Sequence, residues 1–475
     1  MADPLATDAM IENRTFDEIA VGDSASVSRT MTQQDIDLFA VISGDVNPAH
    51  MDPAYAGTDI FHKIIAHGML SASLISNVLG TKLPGPGTIY LGQELRFLHP
   101  VCIGDTITAT LTVKERRPEE ADLTLDCSCV NQTGEVVIIG VAHVRAPTVK
   151  VRRPRVELPQ VQLSRHARFR ALLAEVAGLD PLPTAIAYPC DANAIGAAVE
   201  AAVAGLIVPI LVGPSAKIVK AAEEAKVDIS PFRLIDTLNG QAAATEAVAL
   251  VKRGEAALLM KGSLHTDELL HAVLARDSGL RTARRLSHVY LMDVPSYPRP
   301  LLVTDAAVNI APDLEQKRDI VQNAIDLAQV MGIQTPRVAL LSAVETINPQ
   351  LRSTLDAAAL CKMADRGQIT GGLVDGPLAF DNAVSPTAAA GKGIVSQVAG
   401  RADILVVPDL EAGNMLAKQL TFLAGADAAG IVLGALVPII LTSRADAERT
   451  RMASCAVAVL IAHRRRAASQ TKPPA

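Results

Sequence analysis

The spacing of apolar residues changes near residue 147 and divides the chain into two parts of different fold class. Between residues 107 and 113 every second side chain is apolar and the others are threonines, and residues 123–129 alternate in a similar way. A period of two predicts strands that are buried on one face. Helical spacing at residues 33–42 and 68–79 precedes these strands. Residues 14–146 are therefore predicted to form an α+β domain in which helices precede an antiparallel meander.

A different pattern follows a segment rich in proline and basic residues, 147–162. We predict an extended linker there. Its basic residues would either be exposed to solvent or contact a phosphorylated ligand. From residue 163 to 467, alanine-rich helical stretches alternate with short apolar runs. This alternation predicts α/β units with mainly parallel sheets, and the stretch is long enough for two lobes. The apolar runs are 206–211, 256–260, 338–341, 404–407 and 431–437.

Composition excludes several classes of function. The chain has 475 residues, which is too long for one compact core, and its net charge of −6 argues against nucleic acid as a general partner. Its six cysteines include no C-x-x-C pair, so no zinc or redox motif is indicated. The first 16 residues lack the apolar core of a signal peptide, and glycine and proline interrupt the apolar stretch 201–216. We therefore expect a cytoplasmic protein that does not span a membrane.

The segment Ser-Gly-Asp-Val-Asn-Pro-Ala-His-Met-Asp places Asp45 and His50 five residues apart around Pro48. A carboxylate and an imidazole held together can add water across a double bond, because one group removes a proton from water and one delivers a proton. Gly68 then lets the backbone approach a thioester oxygen closely. The alternative is that Asp45 and Asn47 only cap the turn before Pro48.

Three blocks of the N-terminal part resemble, in order, the MaoC-like (R)-specific enoyl-CoA hydratases. The blocks are 43–52, 65–70 and 93–105. The resemblance covers residues 14–146 and implies a hot-dog fold, in which an antiparallel sheet wraps a long helix and which is usually dimeric. It also implies hydration of a trans-2-enoyl-CoA to an (R)-3-hydroxyacyl-CoA.

On this resemblance the catalytic aspartate and histidine fall on Asp45 and His50, and the oxyanion contact comes from backbone near Gly68. Asn47 also matches the pattern and would orient either the water or the turn. His67 would be structural or would line the substrate. Hot-dog domains that bind acyl chains without hydrating them carry residues of similar type, so a binding role stays open.

The C-terminal part carries seven blocks that mostly follow or end short apolar runs. In an open α/β sheet, loops at the carboxyl ends of strands line the ligand crevice. In order, these blocks resemble the phosphate acetyl/butyryltransferase family. The resemblance implies two α/β lobes with the site in the cleft between them, and reversible transfer of an acyl group between CoA and phosphate without a metal or an organic cofactor. The blocks are 259–262, 284–288, 303–309, 341–345, 374–377, 408–414 and 441–446.

Joining a phosphate and a thiolate at one carbonyl requires cations, hydroxyls and helix N-termini. Arg444 is the best candidate for binding phosphate, because its forked guanidinium matches a pair of oxygens. Ser443 can hydrogen-bond the carbonyl or the developing thiolate. Lys261, and either Arg284 or Arg285, would supply further positive charge.

Asp409 and Asn414 indicate a loop that enters a helix, with backbone N–H groups available for an anion. Asp375 fits the same role or merely turns the chain. The segment Asp305–Asn309 belongs either to the crevice or to the capped start of a helix after a strand.

One position departs from the family's pattern. In its acetyltransferases, an aspartate credited with deprotonating the CoA thiol stands seven residues after the serine; here that position is Thr450, with Asp446 and Glu448 nearby. The segment is more similar to the butyryltransferase branch. The thiol base therefore stays open, and a thiolate stabilised by cations is the alternative.

The sequence thus predicts an α+β hot-dog domain followed by a two-lobed α/β domain with mainly parallel sheets, forming a bifunctional acyl-CoA enzyme. Its expected partners are acyl-CoA, CoA, inorganic phosphate and further copies of itself, with no nucleic acid and no membrane. Two alternatives remain. Either only the acyltransferase is active and the hot-dog domain is a scaffold, or the C-terminal domain is a non-catalytic acyl-CoA sensor, as similar domains are on malic enzymes.

Overall fold

The computed structural model describes residues 10–156, 161, 167–441 and 447–470. The chain divides into two compact units, residues 1–163 and 164–475. Within the described ranges, no helix has both the length and the apolar content that crossing a membrane requires.

The first unit contains four α-helices, one 3₁₀-helix and seven strands among its described residues. Its elements are β1 (Met10–Glu12), the 3₁₀-helix Phe16–Glu18, β2 (Ser24–Thr30), α1 (Gln33–Ser43), α2 (Pro48–Met51), α3 (Pro53–Ala56), α4 (Gly68–Thr81), β3 (Ile89–Phe97), β4 (Thr106–Arg117), β5 (Asp122–Val130), β6 (Val136–Arg145) and β7 (Arg152–Pro154).

A five-stranded antiparallel sheet, in the order β2-β4-β5-β6-β3, packs against the long helix α4. The alternation over 107–113 buries Ile107, Leu111 and Val113, which join the apolar face of α4 in one core. Burial of such side chains stabilises the unit by roughly 25 cal/mol for each Å² of apolar surface removed from water. The predicted hot-dog arrangement is confirmed, and the predicted helices match α1 and α4 within two residues.

The start of the predicted linker packs against the N-terminal residues of this unit. Strand β7 pairs with β1 in antiparallel register. The Asn13 side chain donates to Val149 O at 2.9 Å and accepts from the Val151 N–H at 2.8 Å. Residues up to Pro154 are therefore ordered by backbone pairing, which the proline-rich composition did not indicate.

The second unit alternates strands and helices along the chain. Its elements are α5 (Ala167–Val176), β8 (Leu182–Ala187), α6 (Ala192–Val203), β9 (Ile207–Gly213), α7 (Ser215–Ala225), β10 (Arg233–Asp236), α8 (Gly240–Lys252), β11 (Leu258–Lys261), α9 (Thr266–Leu274), β12 (Ser287–Asp293), β13 (Leu301–Thr304), α10 (Leu314–Val330), β14 (Arg337–Leu341), α11 (Arg352–Asp365), β15 (Leu373–Leu378), α12 (Phe380–Val384), α13 (Pro386–Gly391), β16 (Ile404–Val406), α14 (Leu410–Phe422), β17 (Asp427–Leu433), β18 (Ile439–Ile440) and α15 (Glu448–Gln470).

These strands form one eleven-stranded sheet in the order β10-β9-β8-β11-β18-β17-β12-β13-β16-β14-β15. The first five strands run parallel to one another, as do the last four, whereas β17 and β12 pair antiparallel to both of their neighbours. The prediction of mainly parallel sheets is confirmed. The apolar run 431–437 does not form a parallel strand. Its first residues belong to β17, which is antiparallel to its neighbours and ends at Leu433, and Gly434 then takes a left-handed φ of 89°.

The two faces of this sheet are covered differently. One face is buried in a single cluster under α5, α6, α7, α10, α11 and α15. The other face carries two separate clusters, one with α8 and α9 over the first parallel strands and one with α12 and α13 over the last. Between these two lobes, β12 and β17 present His288, Tyr290 and Gly430, which we call the central strip. Strand alternation places them on this face, because Val289 and Leu291 belong to the opposite cluster.

Candidate active sites

The first candidate site lies where α1, α2 and α4 meet. Helix α1 begins at Thr32, whose hydroxyl oxygen accepts from a backbone N–H in a capping box, and ends at Gly44, which takes a left-handed φ of 73°. Asp45 follows Gly44 directly. Asn47 caps α2, since its Oδ1 accepts from the Ala49 N–H at 3.1 Å. The amide of Asn47 thus stabilises the turn that carries Asp45. This contact fits the predicted role of orienting the turn, which was the alternative to orienting the water.

His50 is held in one tautomer by a backbone carbonyl. Its Nδ1 lies 2.8 Å from Ile65 O. Because a carbonyl oxygen only accepts, Nδ1 carries the hydrogen and Nε2 keeps its lone pair. His50 is half-buried and Asp45 is exposed, so both side chains are accessible from solvent. The lone pair of Nε2 is therefore available to a water molecule.

His67 lies beneath this pair and is only 2% exposed. Its Nε2 donates to the backbone oxygen of Asp45 at 3.0 Å, and its ring centroid lies 3.9 Å from that of His50. Phe39 packs on the ring at 5.0 Å. The ring is buried and contacts both candidate catalytic residues, which favours the structural role predicted for His67 over the substrate-lining one.

The three side chains converge on one point. One potential ligand atom from each of Asp45, His50 and His67 lies within 4.8 Å of the others. A water molecule that contacts both Asp45 and His50 can be held in this space. Such a set of atoms also has the composition of a metal site. The structure thus brings the predicted carboxylate and imidazole together. Asp45 Oδ1 also accepts from the Asn47 N–H at 3.2 Å, so the alternative in which Asp45 caps the turn stays open.

Gly68 opens α4, and the first N–H groups of a helix have no partner within the helix. A Cβ at this position would lie 3.0 Å from Cε1 of Phe97, which belongs to another predicted block. Glycine therefore keeps the backbone N–H accessible beside Phe97. This arrangement suits a donor to a thioester oxygen.

The second candidate site involves the central strip and its two lobes. Ser443 and Arg444 lie outside the described residues. Lys261 ends β11 and alternates onto the same face as Leu259, in the wall of the first lobe. Its buried Nζ donates to Gly262 O at 3.1 Å and to Leu264 O at 3.4 Å. The side-chain amine of Lys261 is therefore held in that wall by two backbone carbonyls.

A hydrogen-bonded chain in the second lobe holds Arg285. The buried carboxylate of Asp305 accepts from the Asn309 N–H at 3.1 Å and also from its Nδ2. Asn309 Oδ1 in turn accepts from Arg285 Nε at 2.9 Å. Burial raises the pKa of Asp305, although these hydrogen bonds oppose that rise. No helix starts here, because α10 begins after Asp313; the capped-helix alternative is wrong.

Arg284 faces a different partner, since its guanidinium forms an ion pair with Asp326. Both Arg284 and Arg285 line a pocket of about 320 Å³. Arg281 and Arg318 also line it together with Glu315 and Asp319, so arginines outnumber carboxylates in the lining by four to two. This arrangement is compatible with a phosphorylated ligand.

Lys261 and Arg285 do not belong to one cluster. The register runs from Met260 through Ile440 and Ile431 to Val289. Lys261 is therefore three strands away from Arg285 across the sheet, and about five residues away along the strands. Together these offsets separate the two residues by roughly 20 Å. A ligand that contacts both must be extended.

The start of α14 has the predicted form of a loop that enters a helix. The carboxylate of Asp409 accepts from the Ala412 N–H at 2.9 Å, and the Leu410 N–H donates to Ile310 O at 3.0 Å. These two donors are occupied, which disfavours the predicted contact with an anion. Asn414 Nδ2 donates to Ala306 O at 3.3 Å, which ties α14 to the segment that orients Arg285.

Asp375 lies apart from the other candidates. It belongs to β15, which β14 separates from β16. Its Oδ1 accepts from the Gly376 N–H at 2.8 Å, and its other oxygen accepts from the Ser396 hydroxyl. These contacts favour the predicted alternative in which Asp375 only turns the chain.

Comparison with known proteins decides the family. Residues 238–459 match the family model described as phosphate acetyl/butaryl transferase. The phosphate acetyltransferase of Rhizobium meliloti is 61% identical over 302 residues, which are 64% of this chain and 96% of that protein. This chain belongs to the phosphate acetyl/butyryltransferase family. A branched-chain phosphotransacylase from Enterococcus faecalis V583 is 32% identical with a TM-score of 0.53, covering 59% of this chain and 99% of that one.

The N-terminal unit of this family member contains a MaoC-like domain, which the matching family model places at residues 20–124. The R-hydratase PhaJ1 of Pseudomonas aeruginosa is 42% identical, covers 33% of this chain and 99% of that one, and has a TM-score of 0.32. Asp45, His50 and Gly68 all lie inside the matched range.

Sequence reasoning did not identify the central strip of this acyltransferase-family chain, although His288 lies in the predicted block 284–288. His288 and Tyr290 alternate on one strand face, and Gly430 faces them from β17. Period-two spacing around the Ser-His block could have indicated their shared face. Their position between two lobes could not be inferred, because it depends on the order of strands in the sheet.

Proposed function

We propose that this protein is a bifunctional acyl-CoA enzyme. The N-terminal unit hydrates trans-2-enoyl-CoA to (R)-3-hydroxyacyl-CoA, and the C-terminal unit transfers an acyl group reversibly between CoA and phosphate. The convergence of Asp45 and His50 on one accessible point, inside a MaoC-like domain, carries the first activity. The 61% identity to a phosphate acetyltransferase supports the second.

Hydration would use one water molecule held between Asp45 and His50. The Nε2 lone pair of His50 accepts a hydrogen bond from the water and orients it. Asp45 takes a proton as the water oxygen bonds to C3 of the enoyl group, and returns that proton to C2. The N–H of Gly68 donates to the thioester oxygen as negative charge develops there. His67 positions both catalytic residues through its contacts with them.

In acyl transfer, a phosphate oxygen would attack the thioester carbonyl, and the CoA thiolate would leave as the acyl phosphate forms. Arg444 is proposed to bind the phosphate and Ser443 to hydrogen-bond the carbonyl or the thiolate. Lys261 adds a fixed charge from one wall, and Arg285, oriented by Asn309, binds a phosphate of the extended CoA. CoA and phosphate are substrates, and neither reaction as written requires a cofactor.

Two substitutions in the intact chain test the proposal. We expect His50→Ala to lower crotonyl-CoA hydration by about 100-fold, because the water loses the acceptor that orients it. We expect it to leave phosphate-dependent release of CoA from acetyl-CoA within twofold of wild type. Lys261→Met should lower the phosphate-dependent release of CoA and leave crotonyl-CoA hydration within twofold of wild type.

The controls are His62→Ala, an exposed histidine of the first unit, and Lys418→Met, an exposed lysine on α14. Both should keep both activities. Native hydration by the His50→Ala protein would contradict the catalytic reading and favour a scaffold. Binding of acetyl-CoA by wild type without any phosphate-dependent turnover would favour the sensor instead.

We also propose that the first unit associates with a second copy. Among the described residues, strand β3 is at the edge of its sheet and pairs only with β6. It exposes several large apolar side chains, and an unpaired apolar edge tends to associate. These are Ile89, Tyr90, Leu91 and Phe97, together with Leu98 just beyond the strand.

A further inference from the structure

The first candidate site contains a buried polar atom that the proposed hydration does not use. His67 is only 2% exposed, and its Nδ1 has no hydrogen-bond partner among the described residues. Leaving such an atom unpaired costs free energy, and buried unpaired atoms often mark the place of an ion or a bound water. The Nδ1 of His67 therefore points to a further ligand at this site.

Both imidazoles of the site present a lone pair on the ring nitrogen that the backbone does not occupy. The Nε2 of His67 donates to Asp45 O at 3.0 Å, so Nδ1 of the neutral ring carries the lone pair. The Nδ1 of His50 donates to Ile65 O at 2.8 Å, which leaves the lone pair on Nε2. Histidines that bind metals almost always donate their other ring N–H to a backbone carbonyl, a carboxylate or water. The fold thus already holds both rings in the tautomers that a cation requires.

Asp45 supplies a carboxylate beside the two rings. One potential ligand atom from each of Asp45, His50 and His67 lies within 4.8 Å of the others, and the ring centroids of the two histidines are 3.9 Å apart. Ligand atoms around a tetrahedral zinc ion are roughly 3.3 Å apart. Small side-chain movements would therefore complete the site, and Asp45 is exposed enough to make one.

The types of ligand select the cation. Two imidazoles and one carboxylate suit Zn²⁺, whereas Mg²⁺ and Ca²⁺ prefer sites built from oxygen atoms. A cation bound here takes the lone pair of His50 Nε2, which is the atom that would hold the water for hydration. Cation and catalytic water therefore compete for one atom.

We propose that Asp45, His50 and His67 form a Zn²⁺ site, and that Zn²⁺ bound there inhibits hydration reversibly. The binding part stands on the contacts of these three side chains. The inhibition part rests on the hydration proposed above and adds a regulatory ligand to the same site.

Two measurements on the intact chain, first freed of metal with a chelator and then dialysed, test the proposal with Zn²⁺ as the probe. Isothermal titration calorimetry should show that Asp45→Asn and His67→Gln each weaken the binding of one Zn²⁺ per chain at least about tenfold, since even the loss of an outer partner of a ligand has that effect. Zinc bound by cysteines would remain in all variants.

The second measurement is crotonyl-CoA hydration. Saturating Zn²⁺ should lower the wild-type rate at least about tenfold, because the water loses the acceptor that orients it. Added chelator should restore the rate to within twofold of its starting value. Mg²⁺ at the same concentration should leave the rate within twofold.

The matched control is His62→Ala, which removes an exposed histidine of the same unit and should keep both the affinity for Zn²⁺ and its inhibition. Equal affinity in wild type, Asp45→Asn and His67→Gln overturns the inference. Stimulation of hydration by Zn²⁺ also overturns it, as does equal inhibition by Mg²⁺, since contact with the CoA phosphates would then explain the effect. If wild type shows no hydration at all, the proposed function of this unit fails, and calorimetry alone decides whether the cation site exists.

Discussion

Single residues in this chain are placed by contacts that their sequence neighbours do not reveal. His67 and His50 both donate a ring N–H to a backbone carbonyl, so each tautomer is set by the fold. His67 does this from a buried position, and its Nδ1 has no partner among the described residues. A second buried imidazole, His288, likewise has an Nδ1 without a partner in the described part of the chain. For His288, burial lowers the pKa to about 3, so its ring is neutral at pH 7.

His288 gives a prediction about stability and pH. Burial lowers the pKa of His288 from 6.5 to about 3, so the folded protein binds fewer protons than the unfolded chain between these values. The stability of the neutral form is fully present above pH 6.5 and is lost as the pH falls toward 3. One proton per unit of pH corresponds to about 1.4 kcal/mol. Wild type should therefore lose roughly 2 kcal/mol between pH 6.5 and pH 5 through this group.

We expect the His288→Gln protein to lack this pH-dependent loss of stability. The effect should appear in the thermal transition whose midpoint the substitution changes. Melting of the intact protein at pH 7 and pH 5 measures the effect. His463→Gln is the control, because His463 is only half-buried and its Nε2 contacts Asp180 O at the end of α15. Equal pH dependence in wild type and the His288 variant would contradict the buried, neutral state.

Among the elements, β3 combines a free edge with exposed apolar side chains. We expect Leu91→Lys to weaken self-association, because a charge on an edge strand opposes pairing with another strand. Light scattering of the intact protein should show wild type as a multiple of 49.9 kDa and the variant shifted toward that mass.

Val21→Lys places the same charge at another exposed apolar position of this unit, and should leave the mass unchanged. A wild-type mass of one chain would contradict the proposed association. So would an equal loss of mass in both variants.

Elements that depend on local sequence could be predicted, whereas those that depend on distant pairing could not. The capping box at Thr32 and the alternation over 107–113 fixed α1 and β4 closely, because caps and periodicity act within a few residues. The antiparallel direction of β17 and the pairing of β7 with β1 come from partners far away in the chain. The carboxylate of Asp409 caps its own helix, and this contact competes with the anion role predicted for the helix start.

At the scale of the whole molecule, the chain contains two units, each with its own hydrophobic core and its own candidate site. Asp45 and His50 could be found from sequence, since they lie on one short turn. The second site is assembled from strands far apart in the chain, and its central strip depends on the order β18-β17-β12-β13. Sequence blocks identified the family of that unit but not which residues meet.

The most direct test of two thioester sites in one chain is a single set of assays on the intact wild-type protein, with a chelator present. Crotonyl-CoA should lose its enoyl absorbance with or without phosphate, and acetyl-CoA should release free thiol only when phosphate is added. Hydration that requires phosphate, or thiol release that is absent at saturating phosphate, would contradict the account.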